Sequence, residues 1–206
     1  MSHENWITAE ELDKELAKDK EYQKRRKENE RKRLEFVNEL RKNAQPILKA
    51  LRKKGFDCVY ENLWRVALEN YDAIPILLEH IKKDYHPGIK SILADALSVP
   101  KARDQIWDTL LDEFMHAIPD EDIDEPKLRG YKDALAVTLS EIADKSKLPI
   151  IMNIIKEKRH KGCRIFFIKI LAKHRKKNPY ITEFVKRFLD DKDLMKEIKA
   201  KFKELR

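Results

Sequence analysis

Two stretches, Asp72-Ala-Ile-Pro-Ile-Leu-Leu-Glu-His-Ile-Lys-Lys83 and Lys147-Leu-Pro-Ile-Ile-Met-Asn-Ile-Ile-Lys-Glu157, decide the fold, because they are copies of one another at an offset of 74 residues. The offset holds without a gap: Pro75 matches Pro149, Ile76 matches Ile150, Lys82 matches Lys156, His86 matches His160, Gly88 matches Gly162 and Leu97 matches Leu171. Each copy reads as a helix with proline in its first turn, a short loop, and a second helix opening near the glycine. Between them, Gly130-Tyr-Lys-Asp-Ala-Leu-Ala-Val-Thr-Leu139 copies the second helix alone, Gly88-Ile-Lys-Ser-Ile-Leu-Ala-Asp-Ala-Leu97. The three glycines stand 42 and then 32 residues apart.

Outward from this array, Pro179–Leu189 and Lys192–Leu205 form a fourth pair with Ile181, Phe184, Val185 and Phe188, then Leu194, Met195, Ile198 and Phe202 as apolar positions. On the N-terminal side, Thr8-Ala-Glu-Glu11 is a capping box, so a helix starts near Thr8. From Ala17 to Arg33 only Tyr22 is large and apolar, which predicts a solvated helix or a frayed arm. Leu34, Val37, Leu40, Ala44, Leu48 and Leu51 restore a helical stripe that Pro46 should kink or divide and Gly55 should end. We therefore expect two parts, a charged N-terminal helical segment (1–55) and a helical repeat array (56–206).

Composition agrees with an all-α chain: 206 residues with 40% charged, 42% hydrophobic, 4 Gly and 8 Pro. No run of 18 apolar residues and no basic-then-apolar leader is present, so neither a membrane span nor a signal segment is expected. Cys58 and Cys163 stand alone, which excludes a disulfide framework or a CxxC zinc site and suits a reducing cytoplasm.

A mean spacing of 37 residues with paired helices lies near the range of helical repeats, whose single hairpins cannot bury their apolar stripes without stacked neighbours. With a proline in the first helix and small residues in the second, the units over 71–177 resemble HEAT repeats. The whole resembles small bacterial HEAT-repeat proteins that carry a charged N-terminal helix. That resemblance implies an α-solenoid of about four hairpins that binds a protein or a nucleic acid, and it carries over no catalytic residue.

Chemistry-bearing patterns are sparse. The six histidines (His3, His80, His86, His116, His160, His174) include no HExxH and no metal-ligand spacing, and no phosphate-cradling glycine loop occurs, so no metal, no small-molecule cofactor and no enzymatic activity are expected. His86 and His160, at equivalent places, read as turn or cap residues. Cys163 reads as a core residue, since Ile89 occupies the equivalent position. Asp120–Glu125 reads as a solvated acidic loop.

The strongest polarity is Lys145–Lys177, with twelve Lys/Arg against the single acid Glu157. Its members Lys156, Lys158, Arg159, Lys161, Arg164, Lys173, Arg175, Lys176 and Lys177 form the candidate basic surface. A protein with an acidic surface is the first partner this suggests, making the chain an adaptor, inhibitor or immunity-type binder. A nucleic acid is the second, as in HEAT-like DNA-repair proteins, with Trp64, Trp107, Tyr131 or Tyr180 available for stacking. Against stacking, Trp64 with Leu63 and Leu68, and Trp107 with Leu110, Leu111 and Phe114, are expected to be core.

Overall fold

The computed structural model describes residues 7–205; His3 and Trp6 lie outside them. Within that range the chain holds twelve α-helices joined by 3-10 turns and no strand. It divides into two units between Lys42 and Asn43.

In the first unit, α1 (Ala9–Lys18) starts at the expected capping box: the Glu11 backbone N–H donates to Thr8 Oγ1 at 3.2 Å and the Thr8 N–H donates to Glu11 Oε2 at 2.9 Å. Asp19 then caps α2 (Lys20–Asn43), its Oδ1 accepting the N–H groups of Glu21 (2.9 Å) and Tyr22 (3.0 Å). The stretch lacking apolar residues is thus helical. Ion pairs one turn apart, Arg31 with Glu28 and Glu35 and Arg33 with Glu30, run along its surface. No residue from Lys14 to Glu39 is buried; Leu40 is the first that is.

The second unit opens with α3 (Gln45–Lys53), separated from α2 because Pro46 fits only the first turn of a helix. Ile47, Leu48 and Leu51 are buried, and α3 packs on α5 (Ile74–Ile81). Gly55 ends α3 at φ +87°, its N–H donating to Arg52 O while the Phe56 N–H donates to Leu51 O. A 3-10 turn (Tyr60–Arg65) and the one-turn α4 (Val66–Glu69) lead into the repeats.

There the pairs are α5 with α6 (Pro87–Ala96), α7 (Arg103–His116) with α8 (Tyr131–Ile142), and α9 (Leu148–Lys156) with α10 (Ile165–His174). The final two, α11 (Tyr180–Lys186) and α12 (Met195–Lys201), both pack on α10. Second helices touch in series, α6 on α8, α8 on α10 and α10 on α12, and the first helix α5 touches α7. The equivalent residues Leu93, Leu135 and Phe167, and Leu97, Leu139 and Leu171, are fully buried. Each such side chain adds about 1.5–3 kcal/mol of burial. The small residues Ala94 and Ala136 leave room for hydroxyls to reach across: Thr138 Oγ1 donates to Ala94 O at 3.0 Å, and Ser140 Oγ to Phe166 O at 2.9 Å.

Candidate partner-binding surface

The three repeat glycines have different backbones yet share one need, an acceptor for the glycine N–H at the start of a second helix. At Gly88 it is the ring Nδ1 of His86 (3.0 Å), at Gly130 it is Asp120 Oδ2 (2.7 Å), and at Gly162 it is Glu121 Oε1 (3.0 Å). Asp122 pairs with Lys161, whose φ of +46° is the only positive value at a non-glycine residue among those described. Glu121, Asp122, Asp124 and Glu125 are exposed, as a solvated loop requires, and the insert also holds the start of α8 and the 3-10 turn that precedes α10.

His160 consequently loses the capping role of its counterpart. It is fully buried, with its ring stacked on Phe114 at 4.8 Å and its Nε2 3.3 Å from Glu157 Oε2. Burial, then the charges of Lys132 and Arg159, push its pKa down to about 4. Cys163 is buried, its Sγ–H donates to His160 O at 2.6 Å, and burial pushes the thiol up to about 12, which leaves it inert as a nucleophile. Burial, then the neighbouring Asp120 and Glu121, raise Asp133 to about 6.

The nine basic residues separate into distinct environments. Arg164 is 1% exposed and belongs to the core: its guanidinium bonds Asp191 (2.9 and 3.2 Å) and Asp193 (2.9 Å), and also donates to the carbonyls of Ile155 and Lys161. Arg159 pairs with Glu157 at 2.7 Å and Lys161 with Asp122. Lys156 donates to Asn153 Oδ1 and lies 5.8 Å from the Phe184 ring centroid. Lys158, Lys176 and Lys177 are exposed.

Lys173 and Arg175 remain, and they line a groove of about 540 Å³ between α8, α10 and α12. Val137, Phe166, Ile170 and Ala172 contribute apolar surface to it. Lys169 and Lys201 add two further cations, and Glu141 is its one acid. Arg175 is held by Glu204 (3.2 Å) and lies 5.5 Å from the Phe202 ring centroid, whereas Lys169 and Lys173 are exposed and form no ion pair among the described residues. Lys169, Lys201, Val137, Phe166 and Glu141 were not singled out by the charge runs. The glycine register carried a signal for Val137, Lys169 and Glu141, because it aligns Asp95, Val137 and Lys169, and likewise Glu141 and Lys173.

The aromatic expectations divide. Trp107 is core at 1% exposure. Trp64 and Leu68 are not, at 49% and 50%, and Val59 and Tyr71 are also half exposed; Leu68 and Tyr71 share a hollow with Phe56. The 3-10 turn before α4 interrupts the helical period, so only Leu63 of that triplet is buried. Tyr131 donates to Glu113 Oε2 at 2.6 Å beneath Lys90, and Tyr180 is exposed.

Among the described residues no group of three His, Cys, Asp or Glu is arranged to hold a metal ion, and no helix is long and apolar enough to cross a membrane. Compared with known proteins, the chain matches no family model, no curated protein and no solved structure.

Proposed function

We propose that the chain is a non-catalytic, HEAT-like α-solenoid that binds another protein, of the adaptor, inhibitor or immunity kind, through the groove between α8, α10 and α12. The observation that carries this reading is the pairing of an apolar floor with exposed cations that no internal carboxylate neutralises, Lys169 and Lys173. The fitting partner is an acidic amphipathic segment: its apolar side chains cover the part-exposed Val137 and Phe166, and its carboxylates meet Lys169, Lys173, Arg175 and Lys201. The floor supplies affinity and the rim cations supply association rate and selectivity. The series α6–α8–α10–α12 supports the solenoid, since it gives the inner second helices α8 and α10 a neighbour on either side, as stacked repeats require.

A nucleic acid on the same basic stretch is less well supported, because a phosphate backbone needs a run of free cations and Arg159, Lys161 and Arg164 are engaged by carboxylates. Affinity capture from the native cell with wild type and with Lys169→Glu/Lys173→Glu tests the proposal. One protein should be enriched by wild type and lost with the variant, a change on the order of a hundredfold in affinity if each reversal costs about 1.4 kcal/mol. An unchanged set of captured proteins contradicts it.

A further inference from the structure

The groove leaves the strongest free positive charge of the first unit unexplained. Between Lys20 and Lys27 lie five cations, Lys20, Lys24, Arg25, Arg26 and Lys27, all exposed and none in a hydrogen bond or ion pair among the described residues. One turn further on the pattern changes, and Arg31, Lys32 and Arg33 are tied to Glu28, Glu30 and Glu35. Of the five, Arg25 and Arg26 lie on one face of α2, and Lys20, Lys24 and Lys27 lie on the opposite one. Tyr22, Arg25, Arg26, Asn29 and Arg33 line a shallow hollow along α2 with Glu30. At 3.6 residues per turn those five fall within about 100° of arc, a single face.

We infer that this face of α2, Tyr22, Arg25, Arg26, Asn29 and Arg33, binds the phosphate backbones that border the major groove of double-stranded DNA. A bare helix is about 10–12 Å across and the B-form major groove about 12 Å wide, so the helix enters it without a supporting domain. Arg25 and Arg26 diverge from adjacent positions and reach opposite backbones. Tyr22 donates a hydroxyl to phosphate, and the Asn29 amide points to base edges between them. Arg33 keeps Glu30 as its partner (2.8 and 2.9 Å), so the charge that counts on this face comes from Arg25 and Arg26. The narrow major groove of A-form RNA excludes such a helix, which makes DNA the favoured duplex. This inference does not depend on the α8–α10–α12 groove.

The test titrates the full-length chain against a labelled random-sequence DNA duplex at several salt concentrations. Two neutralised phosphates give a log–log salt slope of about −2. Arg25→Glu/Arg26→Glu should weaken binding at low salt by at least about tenfold and flatten the slope by about two. Lys169→Glu/Lys173→Glu, with the same change in net charge, should leave both unchanged, and an RNA duplex should bind more weakly. Circular dichroism is expected to show both variants folded, since all four side chains are exposed. No DNA binding at low salt overturns the proposal, and so does binding that survives Arg25→Glu/Arg26→Glu. Loss of binding in the Lys169→Glu/Lys173→Glu chain moves the site to the groove, and equal affinity for polyglutamate reduces the face to a general polyanion binder; either also overturns it.

Discussion

Arg164 illustrates what single residues contribute here. A fully buried guanidinium is costly unless every donor is used, and Asp191, Asp193 and two carbonyls use them. Removing it leaves Asp191, itself mostly buried, without its counter-charge, so Arg164→Leu should lower unfolding stability by about 3 kcal/mol in urea titration. Burial works against the Asp191 carboxylate, yet Arg164 and two backbone N–H groups hold it below the usual range; its stabilising contribution is present at neutral pH and fades as pH falls through the carboxylate range. His160 and Asp133 oppose each other. A histidine depressed to about 4 contributes stability above about 6.5 that is lost as pH falls from there toward 4. An aspartate raised to about 6 costs stability above that pH, and the cost is relieved as it protonates between about 6 and 3.8. Asp133→Asn should therefore stabilise the fold by about 1–2 kcal/mol at pH 7.5, with the gain vanishing near pH 4 when thermal or urea unfolding is followed across pH. The charge run made Arg164 look like its neighbours, because its partners lie 27 and 29 residues away and no local pattern ties them together.

Among the elements, those set by local chemistry were legible and those set by distant partners were not. Thr8 and Glu11, Pro46, Gly55 and the 74-residue copy each point to a helix boundary that the structure contains. Both α9 and α5 start one residue before their matched prolines. The copy pointed to His86 as a cap, which it is for its own helix, but could not reveal that at Gly162 this part falls to Glu121, 41 residues back in an insert that has no counterpart in the first unit. Asp120→Ala should remove the acceptor at Gly130 and cost about 1 kcal/mol, read as a shift in urea midpoint with unchanged slope. Lys161 sits where glycine is favoured, so Lys161→Gly relieves backbone strain of about 1–3 kcal/mol while losing a half-exposed ion pair worth less than about 1 kcal/mol. The net expectation is a small gain in thermal midpoint; a loss would mean that the Asp122 contact outweighs the strain.

For the whole molecule, the two units carry different kinds of charge. Along α1 and most of α2 none of the described side chains is buried, so deletion of residues 1–33 should leave cooperative unfolding of the remainder in place. Across the second unit, the exposed ridge of second helices passes from acidic at Asp95 and Glu141 to basic at Lys169, Lys173 and Lys201. Total charge could not show this gradient, because +8 over the chain averages paired and unpaired cations alike. The all-helical build was readable from composition and periodicity. The groove was half readable: Lys173 and Arg175 stand in the basic run, but Lys201 arrives from α12 through a packing contact with α10 that no sequence spacing encodes. The most direct test of the groove as the binding face is photo-crosslinking in the native cell. One chain carries the crosslinking residue at Val137, and separate control chains carry it at Lys158 and Lys177. The Val137 chain should join an acidic segment of one protein, and the controls should not. Crosslinks to that protein from Lys158 or Lys177 with none from Val137 would contradict it.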